Sequence, residues 1–249
     1  MKRLSLLIFI LLAAAFTSEG QPTPPGVVIN HIPASSGKYL GSPSICILPD
    51  GRLIASNDYF GSKSTEKDAA VTDVFISEDK GSTWKKLSSV KGQFWSTLFV
   101  RGNSLYLFGT YRAHGNIVIR KSDDGGMTWT TPYNDKTGLL FEGEYHTAPV
   151  PVVEYRGRIW RAFEYATAKE PVWPERYSAV VLSAPADCDL LDAGNWRKSE
   201  VLPSSKPQMG GNFRGWLEGN IVYDKKEGCL IDLLRVHAPK TSEEYCAKI

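Results

Sequence analysis

The sequence predicts an all-β chain, a β-propeller of four-stranded antiparallel blades. Three observations predict it. A turn motif recurs about 45 residues apart, a hairpin pattern repeats out of phase with it, and 7 Trp, 11 Tyr and 10 Phe accompany 22 Gly and 15 Pro. Such a composition suits short strands joined by tight turns.

The turn motif is Ser77-Glu78-Asp79-Lys80-Gly81-Ser82-Thr83-Trp84, which recurs as Ser122-Asp123-Asp124-Gly125-Gly126-Met127-Thr128-Trp129. Both fit S-x-D-x-G-x-T-W. Asp and Ser are placed to bond backbone amides across the turn, Gly supplies a positive φ, and Trp folds back as a plug. Asp192-Ala193-Gly194-Asn195-Trp196 is a shorter third copy. The hairpin pattern is an apolar run, a polar turn bearing Gly and a second apolar run. It occurs at Leu48–Ile54, Val100–Tyr106, Glu154–Trp160 and Asp224–Ile231.

Together the two repeats give four strands per blade. Blade one has strand A over Pro43–Leu48, B over Arg52–Asn57, C over Thr72–Ser77 and D over Thr83–Ser88. Blade two runs from Phe94 to Thr130. Blade three starts near His146 and carries an insertion rich in Pro and charge over Ala166–Arg176. Blade four starts near Arg214, has strand B at Leu230–Val236 and begins strand C at Tyr245. Blade four lacks its C–D turn, which leaves an open apolar edge. The expectation is therefore a propeller incomplete at its C-terminus, with about three and a half blades of six or more.

Lys2 and Arg3 precede an apolar run from Leu4 to Phe16, with small residues Ser18 and Gly20 after it. This is the layout of a secretory signal peptide over 1–20, leaving a propeller domain over 21–249 that is secreted or periplasmic. Lys+Arg 29 against Asp+Glu 27 excludes a strongly basic nucleic-acid binder and an acidic tail protein. Hydrophobic content of 42% excludes wholesale disorder. Cys46 and Cys229 sit in apolar runs, while Cys188 and Cys246 lie in polar surroundings. No C-x-x-C pair exists and the four His are scattered, so no metal or cofactor is implied, and disulfide pairing and oligomeric state stay open.

Strand direction locates a site. The start of A and the end of B meet at one face, A is innermost, and the C–D turns fall on the opposite face. Blade one thus brings Ser42, Ser44, Asn57, Asp58 and Tyr59 to the channel mouth, and blade two brings Trp95, Tyr111, Arg112 and His114. Blade three supplies Tyr145, His146, Thr147, Glu164 and Tyr165. Blade four supplies Arg214, Trp216, Glu218, Arg235 and His237. Carboxylates can protonate a leaving oxygen or stabilise an oxocarbenium-like centre, arginines suit a sugar carboxylate, and aromatic faces suit pyranose rings. Glu218 lies between Leu217 and Gly219 in an apolar strand, where burying it without purpose would be costly.

The S-x-D-x-G-x-T-W turns are Asp-box (BNR) repeats and resemble those of the sialidase-like β-propeller superfamily. Gly41–Ile45 with Leu48–Gly51, His146–Pro149 and Arg214–Asn220 are similar to its exported bacterial members. The resemblance covers the mature chain and implies a propeller of six or more blades, with glycan hydrolysis as the commonest chemistry. Sialidases of this superfamily carry an Arg-Ile-Pro element whose Arg helps clamp the sialic acid carboxylate. This chain has no such tripeptide, and Gly41–Ile45 contains no Arg, so the resemblance stops short of that clamp.

The leading expectation is an exo-acting glycoside hydrolase on a complex or acidic glycan. Glu218 or Asp58 serves as acid/base and His146 or Tyr111 assists. Arg112 and Arg214 hold the sugar, with Glu164, Trp216 and Arg235 beside them. Arg112 is placed to pair with Glu164, and Arg214 with Glu218 or an anionic substrate. A polysaccharide lyase and a non-catalytic glycan- or protein-binding propeller are the alternatives. The expected partner is a glycan, with no nucleic acid, and no membrane after signal cleavage.

Overall fold

The computed structural model describes residues 25–167, 169, 173–203 and 214–237. The signal segment over 1–20 and the strand expected at Tyr245 lie outside these residues. Blade one is a four-stranded antiparallel sheet in the order β1 (Tyr39–Ile47), β2 (Leu53–Phe60), β3 (Val71–Ser77), β4 (Lys85–Lys91). The turn between β3 and β4 is built as the motif requires. Asp79 accepts the Thr83 N–H at 2.8 Å and its hydroxyl at 2.6 Å, and Trp84 Nε1 donates to Gly81 O at 3.2 Å. Those Thr83 bonds, with one from Ser77, hold the Asp79 carboxyl down to about 2.

Blade two comprises β5 (Phe94–Arg101), β6 (Ser104–Thr110), β7 (Gly115–Ser122) and β8 (Leu139–His146). Its outer strand departs from expectation, because the chain does not form a strand directly after Trp129. Thr130 makes one pairing step to Lys121, and Pro132 then removes the next available donor. The chain turns at 134–137 and returns as β8. Gly138, at φ +104°, makes this return in close contact with β7. A Cβ there would lie 2.1 Å from Ile119 O.

β8 also joins blades two and three, since Tyr145 pairs with Gly115 of β7 and Tyr165 of β10. Blade three continues through β9 (Val153–Tyr155), β10 (Arg158–Ala166), β11 (Tyr177–Pro185) and β12 (Arg197–Lys198). Pro149 and Pro151 interrupt its inner strand between His146 and β9. The described residues of the 166–176 insertion flank the end of β10 and the start of β11, so they lie at the mouth end. The shorter third turn motif is also a plug: Asp192 accepts the Gly194 N–H, and buried Trp196 donates to Leu190 O at 2.9 Å. Blade four contributes β13 (Trp216–Asp224) and β14 (Cys229–Val236).

Apolar side chains pack between successive blades. Leu48, Ile54, Val74, Ile76, Leu98, Leu105 and Leu107 fill the space between blades one and two. Phe108, Ile117, Leu140, Phe163, Leu182 and Trp196 do so between two and three. Cys46, Cys188 and Cys229 are free thiols, and burial pushes Cys46 up to about 12.

Trp129 joins the first of these layers and donates from Nε1 to Ser88 Oγ of blade one at 3.1 Å, whereas Trp84 packs against its own turn. Trp129→Ala is therefore expected to cost about 2–4 kcal/mol in chemical denaturation, clearly more than Trp84→Ala. Equal losses would contradict the inter-blade role.

Candidate active site at the channel mouth

The innermost strands share a distortion at their mouth ends. A β-bulge lies between Gly41 and Ser44 in β1, between Phe94 and Thr97 in β5, and between Leu217 and Asn220 in β13. Each contains a left-handed, non-glycine residue: Ser42 at φ +50°, Trp95 at +52° and Glu218 at +52°. Such a conformation costs about 1–2 kcal/mol per residue and persists only where the surroundings enforce it. Bulges re-aim side chains, and these three re-aim one residue per blade at the mouth.

Buried ionisable groups enforce two of the bulges. Asp58, at the end of β2, is fully buried. It accepts the Thr72 hydroxyl at 2.5 Å and the Trp95 N–H at 2.7 Å. Burial lifts its carboxyl from 3.8 to about 7, against the opposing pull of the hydrogen bonds. Arg161 is also fully buried and donates to Trp95 O at 2.8 Å, Ala148 O at 3.1 Å and Phe108 O. Burial brings its guanidinium down to about 9, with Glu164 and Asp58 pulling the other way. The amide and carbonyl of Trp95 are thus each held by a buried ionisable side chain.

Glu164, on β10, does the equivalent work for blade four. Its Oε1 accepts the Gly219 N–H at 3.2 Å, directly after Glu218, and its Oε2 lies 2.7 Å from His146 Nδ1. Both side chains are buried. Gly219 allows this approach: a Cβ there would lie 2.6 Å from Asp232 Oδ1 and 2.9 Å from Ala162 Cβ. Asp232, on β14, is 3% exposed, and neither carboxylate oxygen has a hydrogen-bond partner among the described residues. Burial and then the charge of Glu164 raise its carboxyl to about 7; the Asn220 amide lowers it slightly without reaching hydrogen-bond geometry.

An aromatic wall surrounds His146. Its ring stands edge-on to Trp95 at 4.8 Å and to Trp173 at 4.9 Å between centroids, and Trp173 is 44% exposed. His114 lies beyond, with Nδ1 2.6 Å from the Tyr177 hydroxyl. Burial, followed by the nearby His146, Arg176, Lys67 and Arg112, brings His114 down to about 4. At the rim, Glu218 pairs with Arg235 at 2.7 Å, Glu175 with Arg214 at 2.7 Å, and Glu144 with Arg176. Among the described residues no group of three His, Cys, Asp or Glu side chains is arranged to hold a metal ion.

The structure brings Asp58, Trp95, His114, His146, Glu164, Glu218 and Arg235 to the mouth, as strand direction predicts. Others take different places. Arg112 does not pair with Glu164; it is exposed and donates to the carbonyl of His114 in its own loop and to that of Lys67 in the loop between β2 and β3. Arg214 pairs with Glu175 rather than Glu218. Glu218 is not buried, because the bulge turns its carboxylate outward to 32% exposure. Asp58, with both oxygens engaged in the interior, is a scaffold group. Tyr111 covers Gly92. Trp216 is a core residue at 3% exposure against Ala179 and Leu234. Ser44 ties β1 to β5 by accepting the Leu98 N–H, Asn57 bonds Asn30, and Tyr59 bonds Asp73. Thr147 bonds Ala162 O, Tyr145 stacks on Tyr165, and the His237 amide bonds Gly215 O.

Sequence reasoning missed Trp173, Glu175, Arg176 and Tyr177, although a B–C insertion must lie at the same end as the start of A. It also missed Arg161 and Asp232. The signal was present, since each is a charge inside an apolar strand, as Glu218 is.

No protein-family model and no curated protein sequence matches the chain. Solved structures do match. An α-L-arabinofuranosidase from Lactobacillus brevis is 18% identical with TM-score 0.54, over 85% of this chain and 71% of that one. A Penicillium chrysogenum α-L-arabinanase complexed with arabinobiose is 16% identical with TM-score 0.52, over 82% and 60%. A Trypanosoma rangeli sialidase in complex with sialic acid is 13% identical with TM-score 0.52, over 80% and 29%. The matched region is thus 60% of the arabinanase and 29% of the sialidase. These likenesses show the fold, a β-propeller of the kind these glycoside hydrolases carry.

The raised Asp232 carboxyl links stability to pH. Between about pH 4 and pH 7 the folded chain keeps a proton that the unfolded chain has released, so this stabilisation is full below 3.8 and is lost as pH rises through about 7. His114 acts oppositely between about 4 and 6.5, but equally in wild type and variant. Asp232→Asn should therefore gain stability relative to wild type, on the order of 2 kcal/mol, from pH ~5 to pH ~8. Thermal melts whose difference stays constant with pH would contradict the buried acid.

Proposed function

We propose that the chain is a carbohydrate-active enzyme, a glycoside hydrolase working at the channel mouth with Glu218 as catalytic carboxylate and His146 as acid/base. One observation carries the reading. Glu218 sits in a left-handed bulge, the Gly219 N–H that follows it bonds Glu164 of the buried Glu164–His146 pair, and His146 stands edge-on to Trp95 and Trp173. Strain held in place at one end of a central channel is a mark of a functional site. The propeller fold of arabinanase and sialidase supports the reading by analogy.

The chemistry follows from the partners. The 2.7 Å ion pair with Arg235 suits a Glu218 carboxylate that attacks the anomeric carbon. The glycosidic C–O bond breaks, and the leaving oxygen takes the Nε2 proton of the His146 imidazolium, whose Nδ1–H faces Glu164. In the second half, water gives its proton to Nε2 and bonds the anomeric carbon, releasing Glu218. Trp95 and Trp173 offer apolar faces to the sugar ring. The rim arginines are each engaged by a glutamate, and Arg112 by main-chain carbonyls, which, of the complex or acidic glycan expected from the sequence, favours one with neutral sugars. Export is part of the same reading, on the strength of Lys2, Arg3 and the apolar run from Leu4 to Phe16.

A lyase is the second reading, favoured by the 2.6 Å His114–Tyr177 contact, which resembles a base beside a proton donor. Its product is unsaturated and absorbs in the ultraviolet, whereas hydrolysis yields none. Binding without any product marks a non-catalytic propeller.

Glu218→Gln should lower kcat on aryl glycosides and oligosaccharides at least ~100-fold while leaving Tm nearly unchanged. Unchanged turnover would remove Glu218 from the mechanism.

A further inference from the structure

We infer that Glu164 is a positioning residue that sets the tautomer of His146 and holds Glu218 in place through one carboxylate; this rests on the proposed hydrolase reading. A carboxylate offers only acceptor oxygens, so at 2.7 Å His146 Nδ1 must carry the proton. Nε2 is then the nitrogen that gains and loses a proton, and it makes no hydrogen bond among the described residues. The ring is clasped edge-on by Trp95 and Trp173, so it does not turn to exchange its nitrogens. The other oxygen of Glu164 accepts the Gly219 N–H, which fixes the peptide following Glu218.

This double engagement makes the effect of Glu164→Gln definite. Gly219 can only donate, so the Gln carbonyl oxygen must face it. The Gln NH2 group then faces His146 Nδ1, which must become an acceptor. The neutral ring is forced into the Nε2–H tautomer, and its imidazolium form loses its carboxylate partner. Both hydrogen bonds survive, so fold and Glu218 placement survive as well. Glu164→Ala removes both bonds and leaves Gly219 without its acceptor.

The test reads the tautomer first, by long-range 15N–1H NMR of the full chain, with His146 assigned from its absence in His146→Gln. With the ring neutral, wild type should show Nδ1–H with a bare Nε2, and Glu164→Gln the reverse, at a Tm within ~3 °C. These shifts do not depend on turnover, so they stand even if no glycan is cleaved. On a cleaved aryl glycoside, Glu164→Gln should lower kcat ~100-fold or more and leave KM within ~3-fold. Glu164→Gln/His146→Ala should be no slower than His146→Ala alone. A wild-type Nε2–H tautomer, an unchanged tautomer in Glu164→Gln, or fully multiplicative losses would overturn the inference.

Discussion

A carboxylate buried at the end of one blade and bonded to the main chain of the next is the constraint on which the mouth depends. Asp58 reaches from β2 to the Trp95 amide, and Glu164 from β10 to the Gly219 amide. Taking such groups out of water is costly, and a core of the usual apolar residues would avoid it. The fold tolerates the cost where a left-handed residue must be held against its own preference. Trp95 and Glu218 are those residues, and each is the point at which its inner strand bulges at the mouth. Arg161 completes the arrangement by holding Trp95 O from inside.

A division of labour results between buried and accessible groups. Asp58, Arg161, Glu164 and Asp232 are almost wholly enclosed and act on the backbone or on one another. Glu218, Arg235 and Trp173 reach solvent and can meet a ligand. His146 stands between the two sets, buried like the first and directed towards the aromatic wall like the second. Preorganisation of this kind lets a few accessible groups act without reorganising when charge develops. The propeller supplies the platform, since packing against neighbouring blades restrains the inner strands.

Much of this was legible in the sequence. The S-x-D-x-G-x-T-W repeats give blade period and architecture, because Asp, Gly and Trp each do one mechanical job in the turn. Strand direction then sends Asp58, Trp95, His146, Glu164 and Glu218 to one face. The outer strand of blade two was not legible from the repeat alone, since Pro132 breaks a pattern that blade one keeps through Lys85–Lys91. Pairings were harder still. Arg214 finds its partner in Glu175 of the insertion, Arg112 in carbonyls of two loops and Glu218 through its bulge, and a bulge leaves no residue-type signature when Ser, Trp and Glu all occupy it. The bulges also reverse exposure. Glu218 points outward where strict alternation buries it, while Arg161 and Asp232 stay inside among apolar neighbours.

The most direct measurement is a crystal structure of the full chain soaked with a neutral monosaccharide or an iminosugar. The expected result is a ring seated against Trp95 and Trp173 with its anomeric position facing Glu218 and His146 Nε2. A ring bound elsewhere, with the mouth empty at saturating concentration, would contradict the assignment of the site.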